Sequence, residues 1–109
     1  MKGKVVLIPF PFTDLTTAKL RPALVLFEVE KDIVVAFISS RLPEAPSPPE
    51  IVVKEDHSEF RQTGLKRSSV VRLDKVATIT KDLVAGEIGE VGPALKKKIN
   101  EALLALYRL

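Results

Sequence analysis

Apolar residues in this chain come in short runs, each cut off by proline or polar residues before it can grow into a helix. The runs are Val5 to Phe10, Leu20 or Arg21 to Glu28, Ile33 to Ser40, Ile51 to Lys54, Ser68 to Leu73 and Gly86 to Val91. Segments this short and this rich in Val, Ile and Phe read as strands. Val76 to Thr80 continues the fifth as a bent sixth. Only after Gly92-Pro93 does the period change. Leu95, Ile99, Ala102, Leu103 and Leu106 recur at helical spacing, with proline at the helix's first position. Lys96, Lys97 and Lys98 fall on the other side of that helix and read as a solvated face. Strands come first and a helix last, with no strand–helix alternation, which predicts a mostly antiparallel sheet. So many short strands on a small chain predict a curled, partly closed β-barrel, mainly β with a C-terminal helix.

The gaps carry their own information. Pro9 and Pro11 limit ladder donors, so the first strand either stops there or runs along an edge. Thr13 to Lys19 is polar and turn-like, and Glu28 to Asp32 reads as a turn. Leu42 to Glu50 holds Pro43, Pro46, Pro48 and Pro49, which excludes a central strand or a helix. It reads as an extended surface loop. Glu55 to Arg67 is polar, with a turn at Gly64, and Lys81-Asp82-Leu83 reads as one helical turn.

A chain of 109 residues suits one domain, here taken as 1–109. With 46% hydrophobic and 28% charged residues, disorder is excluded as a description of the whole. No apolar run is long enough to cross a bilayer, and the N-terminus does not read as a signal peptide. The absence of cysteine removes disulfides, thiolate metal sites and a cysteine nucleophile, and fits a cytoplasmic protein. The net charge of +3 is a mild bias toward anionic partners and does not by itself indicate nucleic acid.

Two places can carry chemistry. Arg21, next to Pro22, stands where a loop meets a strand. A guanidinium there is a fork for phosphate or carboxylate, and its ordinary alternative is a surface ion pair with Asp14 or Glu28. Arg72 and Asp74 share one strand face, a donor fork beside an acceptor, with a structural ion pair as the alternative. His57, alone between Asp56 and Ser58, reads as a solvated residue rather than a base. Without a second histidine or a cysteine, a zinc site is not expected.

Four blocks, Val5 to Asp14, Arg21-Pro22-Ala23-Leu24-Val25-Leu26, Ile38-Ser39-Ser40 and Val70-Val71-Arg72-Leu73-Asp74, occur in an order that resembles the MazF/PemK toxins of toxin–antitoxin systems. The resemblance covers nearly the whole chain. It implies a Src-homology-3-like, partly open barrel of the CcdB/PemK kind. It further implies a homodimer that cuts single-stranded RNA without metal or cofactor, and an antitoxin that neutralises it. DNA binding is expected only together with that antitoxin. By resemblance, Arg21 stabilises the transition state and takes part in proton transfer, although arginine is a poor base. Ser39 stands where the family carries a catalytic threonine, keeping the hydroxyl and losing the methyl. Thr13, Asp14, Thr16, Thr17, Lys19, Ser40, Arg41, Arg72 and Asp74 are the residues expected to contact RNA. Two rivals stay open: a CcdB-like toxin that binds DNA gyrase, and a catalytically weakened RNA-binding barrel.

Overall fold

Six strands pair in the order β4-β5-β3-β2-β1-β6, every pair antiparallel, in a computed structural model that describes residues 1–10 and 19–109. The strands are β1 (Lys4–Phe10), β2 (Lys19–Val29), β3 (Asp32–Ser39), β4 (Glu50–Val53), β5 (Ser69–Thr80) and β6 (Gly86–Glu90). Two helices, α1 (Phe60–Thr63) and α2 (Pro93–Leu106), and a 3-10 turn at Lys81–Leu83 complete them. The expected strands and terminal helix are all present. The polar turn expected over Thr13 to Lys19 lies, up to Ala18, outside the described residues. No helix among the described residues is long and apolar enough to cross a membrane.

Among the described residues β1 runs on past Pro9 to Phe10, and it is not an edge strand over its whole length. It runs between β2 and β6, and β6 covers only Lys4 to Leu7. Among the described residues nothing pairs with the outer side by Pro9, where a missing donor is tolerated. The two strands expected at Ser68–Leu73 and Val76–Thr80 are one. The β3–β5 register jumps from Phe37↔Arg72 to Ala36↔Val76, and the extra residues on β5 let the strand bend.

Alternation along each strand sends apolar side chains to two cores. Val5, Leu24, Ala36, Ile38, Ile51, Val53, Val71 and Leu73 face α2, which adds Leu95 and Ile99. Val6, Ile8, Ala23, Val25, Ile33, Val35 and Ile79 form the core on the other face. Each fully buried Leu, Ile or Val contributes about 1.5–3 kcal/mol. Helix α1 lies outside the sequence expectation. It follows edge strand β4, and its Phe60, with nearby Leu65, enters the α2-side core. It also presses on the opposite edge, β6. A Cβ at Gly89 would lie 2.3 Å from the Gln62 carbonyl oxygen, and one at Gly64 only 2.0 Å from that of Ile88. The two edge strands do not pair with each other, so α1 fills the gap that leaves the barrel partly open.

Glu59 fastens α2 from a distance. Its carboxylate accepts from the Ala94 and Leu95 amides, both at 2.9 Å, satisfying donors that a helix start leaves unpaired. Those two bonds hold its pKa below the ordinary value of 4.5. His57 Nδ1 in turn accepts the Glu59 amide proton at 2.9 Å, so this half-buried histidine holds a structural bond rather than standing in solvent. The far end of α2 departs from expectation. Leu106 is exposed rather than packed, as are Leu104 and Tyr107 at 69% and 61%.

Candidate active site

The β2–β3 ladder pairs Val25 with Val35, Leu24 with Ala36 and Ala23 with Phe37. Two residues further in the same register, Arg21 falls opposite Ser39. The ladder itself stops short of them, at Pro22, which has no N–H to donate. Opposed residues share a face. Ala23, Val25 and Val35 belong to the core away from α2, so Arg21 and Ser39 continue that face at the core's border. On the other side, Arg21 pairs with Ile8 of β1 and Ser39 with Val70 of β5. The two residues singled out from sequence are thus neighbours in mid-sheet.

Arg21 is exposed, and among the described residues it takes part in no ion pair. Its expected partner Glu28 is held elsewhere, by Lys81 at 2.7 Å and by the Met1 ammonium. Their hydrogen bonds, that of Lys81 first, push the Glu28 pKa down to about 2. The other expected partner, Asp14, lies outside the described residues, as do Thr13, Thr16 and Thr17. Ser39 is half-buried, and its Oγ accepts the Arg41 amide at 3.1 Å. A hydroxyl that accepts from the backbone keeps its own hydrogen to donate. Lys19 opens β2 opposite Phe10, exposed, on the face of Arg21. Ser40 and Arg41 follow β3 in the connecting loop, both exposed.

Arg72 and Asp74 form the side-by-side pair their spacing predicts. The guanidinium is bidentate on the carboxylate, Nε to Oδ1 at 3.1 Å and Nη2 to Oδ2 at 2.9 Å. Glu50, cross-strand from Arg72, adds a second carboxylate at 3.7 Å. Asp74 raises the pKa of Arg72 and is itself lowered by it, while Glu50 is lowered first by the Ser47 hydroxyl and amide. One cation against two carboxylates leaves this corner with net negative charge. Arg72 pairs with Phe37, which puts the cluster on the same face as Ser39, on the side away from Arg21. Sequence reasoning found Arg72 and Asp74 and missed Glu50, which enters the strand just after the proline-rich loop.

It also missed Phe10 and Phe37. Their rings meet edge to face, centroids 5.4 Å apart and planes at 66°. Alternation was the available signal, since Phe10 follows Ile8 by two and Phe37 precedes Ser39 by two. Two hollows of about 420 and 630 Å³ run along α2 and touch neither Arg21 nor Ser39.

Comparison with known proteins sets this geometry in a family. The fold is similar to that of the Mycobacterium tuberculosis toxin MazF-mt6, with a TM-score of 0.72, 20% identity and 95% of each chain covered. It is similar to an endoribonuclease from a mycobacterial species solved in complex with its cognate antitoxin, with a TM-score of 0.69 and 22% identity over 96% of this chain and 91% of that one. It is also similar to MazF from Deinococcus radiodurans, with a TM-score of 0.68 and 21% identity over 96% of this chain and 93% of that one. At such identities the likeness is one of fold. No match was found among curated proteins. The family model for PemK-like, MazF-like toxins matches residues 1–107, and the chain therefore belongs to the PemK-like, MazF-like toxins of type II toxin–antitoxin systems.

Proposed function

We propose that this toxin is an endoribonuclease that cleaves single-stranded RNA through the substrate's own 2′-hydroxyl. The attacking O2′–P bond forms as the P–O5′ bond breaks; the 2′-hydroxyl proton passes to solvent water and the departing 5′-oxygen takes one from it, leaving a 2′,3′-cyclic phosphate and a free 5′-hydroxyl. No metal is required for that step. It needs alignment, donors for the phosphate oxygens and a cation for the added negative charge. Arg21 is assigned the charge and Ser39 a hydrogen bond to a non-bridging oxygen. Arginine is a poor base, so Arg21 is not assigned removal of the 2′-hydroxyl proton. The observation that carries this reading is the β2–β3 register, Ala23 against Phe37, which carried on by two residues sets Arg21 against Ser39, on an exposed face with no carboxylate paired to Arg21 among the described residues. Lys19, Ser40 and Arg41 border the same end of the sheet and are assigned to RNA contact, with Thr13, Asp14, Thr16 and Thr17 of the β1–β2 connection. Arg72 and Asp74 are assigned the opposite border.

The toxin is taken to act in the cytoplasm as a homodimer and to be silenced by an antitoxin segment that covers Arg21. The similar mycobacterial structure, an endoribonuclease with its cognate antitoxin, supports that pairing. The test is incubation of pure protein with single-stranded RNA in EDTA. Cyclic-phosphate products that vanish with Arg21→Ala are expected, and intact RNA at high protein excess refutes the assignment. A second reading draws on the exposed end of α2, since CcdB-like toxins use their terminal helix to bind gyrase. Capture of gyrase by wild type, lost with Leu104→Ser and Tyr107→Ser and accompanied by no RNA cleavage, would replace the first.

A further inference from the structure

An arginine carries five N–H donors, and Asp74 takes only two of those on Arg72. They are Nε, at 3.1 Å, and one hydrogen of Nη2, at 2.9 Å, which together make one edge of the planar fork. The next edge, formed by Nη1 and the second hydrogen of Nη2, has no hydrogen-bond partner among the described residues, and the side chain is 28% exposed. The fork is braced from two sides. Ser47 donates to Glu50 Oε1 from its hydroxyl at 2.6 Å and from its amide at 3.0 Å, while Glu50 Oε2 stands 3.7 Å from Arg72 Nε. The bonds from Arg72 hold the Asp74 carboxyl below its usual range, and those from Ser47 do the same for Glu50. Asp74 also sits among the β5 residues skipped where the β3–β5 register jumps, and a bulge of this kind re-aims side chains.

An unspent edge with two parallel donors fits two acceptors side by side. A phosphate offers them, and so does guanine through O6 and N7. Charge decides between the two. Two carboxylates around one guanidinium make the corner net negative, which repels a phosphate and leaves a neutral base edge unopposed. Adenine sets its N6 donor beside N7 and meets the fork donor to donor. In duplex RNA the O6–N7 edge lies in a groove too narrow for side chains, so an unpaired guanine is required. Ser39 is one strand spacing and two residues away from Arg72 on the same face, about 8 Å by strand geometry. We propose that Arg72 reads a guanine of the single strand through its second edge, with Asp74 and Glu50 as positioning residues that hold the fork. The proposal rests on the ribonuclease reading for its substrate and adds what that reading does not contain, a named base at one position.

The probe is a single-stranded 2′-O-methyl pyrimidine oligonucleotide with one purine at its centre, which lacks the attacking hydroxyl and cannot be cut. Wild-type protein should bind the guanine strand about tenfold more tightly than the adenine strand, within the range for one bidentate base contact. Inosine keeps O6 and N7 and should bind like guanine. 7-Deazaguanine lacks N7 and should bind like adenine. Arg72→Lys keeps the charge, loses the fork and should bind all these strands alike. Asp74→Asn and Glu50→Gln should narrow the guanine-to-adenine ratio while affinity for the adenine strand holds or rises, whereas damage to the fold would lower both. A wild-type ratio near one, a preference kept by 7-deazaguanine and lost by inosine, or an unchanged ratio in Arg72→Lys overturns the reader. So does a salt slope that falls by about one in Arg72→Leu, the mark of a phosphate contact. Wild-type cleavage of RNA with no guanine preference removes the reader and leaves the nuclease. Guanine preference on the uncut strand with no cleavage of RNA does the reverse.

Discussion

Gly64→Ala is expected to loosen the closure of the barrel. Gly64 has φ +73°, a left-handed conformation that costs an alanine about 1–2 kcal/mol. The new methyl would sit 2.0 Å from the Ile88 carbonyl oxygen and 2.6 Å from its carbon. Both are backbone atoms of β6, so no side chain can rotate out of the way. Overpacking of this kind costs about 1–3 kcal/mol more. The sum, about 2–5 kcal/mol, is a large share of the roughly 5–15 kcal/mol that stabilises a domain. For a chain near 100 residues this lowers the melting point by about 10 °C or more. Gly89→Ala meets the Gln62 and Thr63 backbone at 2.3–2.5 Å and should behave alike. Gly86→Ala, also in β6, meets nothing within 4 Å and serves as the control. Thermal melts followed by circular dichroism decide it. Should Gly64→Ala and Gly89→Ala melt with Gly86→Ala, α1 does not bear on β6 as described. Well below its melting point, Gly64→Ala should retain Arg21-dependent cleavage, because the seam lies away from β2 and β3.

Arg21→Ala should lower the cleavage rate by about 100-fold or more, the usual loss for a single charge-stabilising donor. Ser39→Ala should lose a similar factor and Ser39→Thr should lose little, both read on single-stranded RNA in EDTA. Arg41→Ala should weaken RNA binding and flatten its salt dependence, whereas Arg72→Leu should leave the salt slope nearly unchanged because its charge is already matched. Glu59→Ala should lower the melting temperature at neutral pH. Since the folded-state pKa of Glu59 lies below the ordinary 4.5, its contribution is present above that value and fades as pH falls through the folded pKa. The wild-type and variant melting curves should therefore converge in acid.

Period and punctuation were enough to read most elements, because the strands alternate cleanly and α2 carries its stripe from Leu95 to Leu103. The single-turn helix α1 was not legible. Four residues show no period, and this helix depends on β6, where Gly89 admits the Gln62–Thr63 backbone. Within one strand the site was partly readable, as the Arg72–Asp74 pair shows. Across strands it was not, since the register that opposes Arg21 to Ser39 is set by pairing. Family resemblance, not spacing, linked those two residues. The exposed end of α2 shows the same limit from the other side: its helical stripe runs to Leu106, but the described residues supply no surface to receive it.

Arg21 and Ser39 stand on adjacent strands in the middle of the sheet, while the segments that join β1 to β2 and β3 to β4 leave from the same end. A slip of one residue would turn either side chain to the opposite face, so the two are inherited together or lost together. The connecting segments carry no such restriction. On the proposed assignment, the pair that meets the phosphate stays indexed to the rungs beneath it, and sequence preference is left to the residues around it.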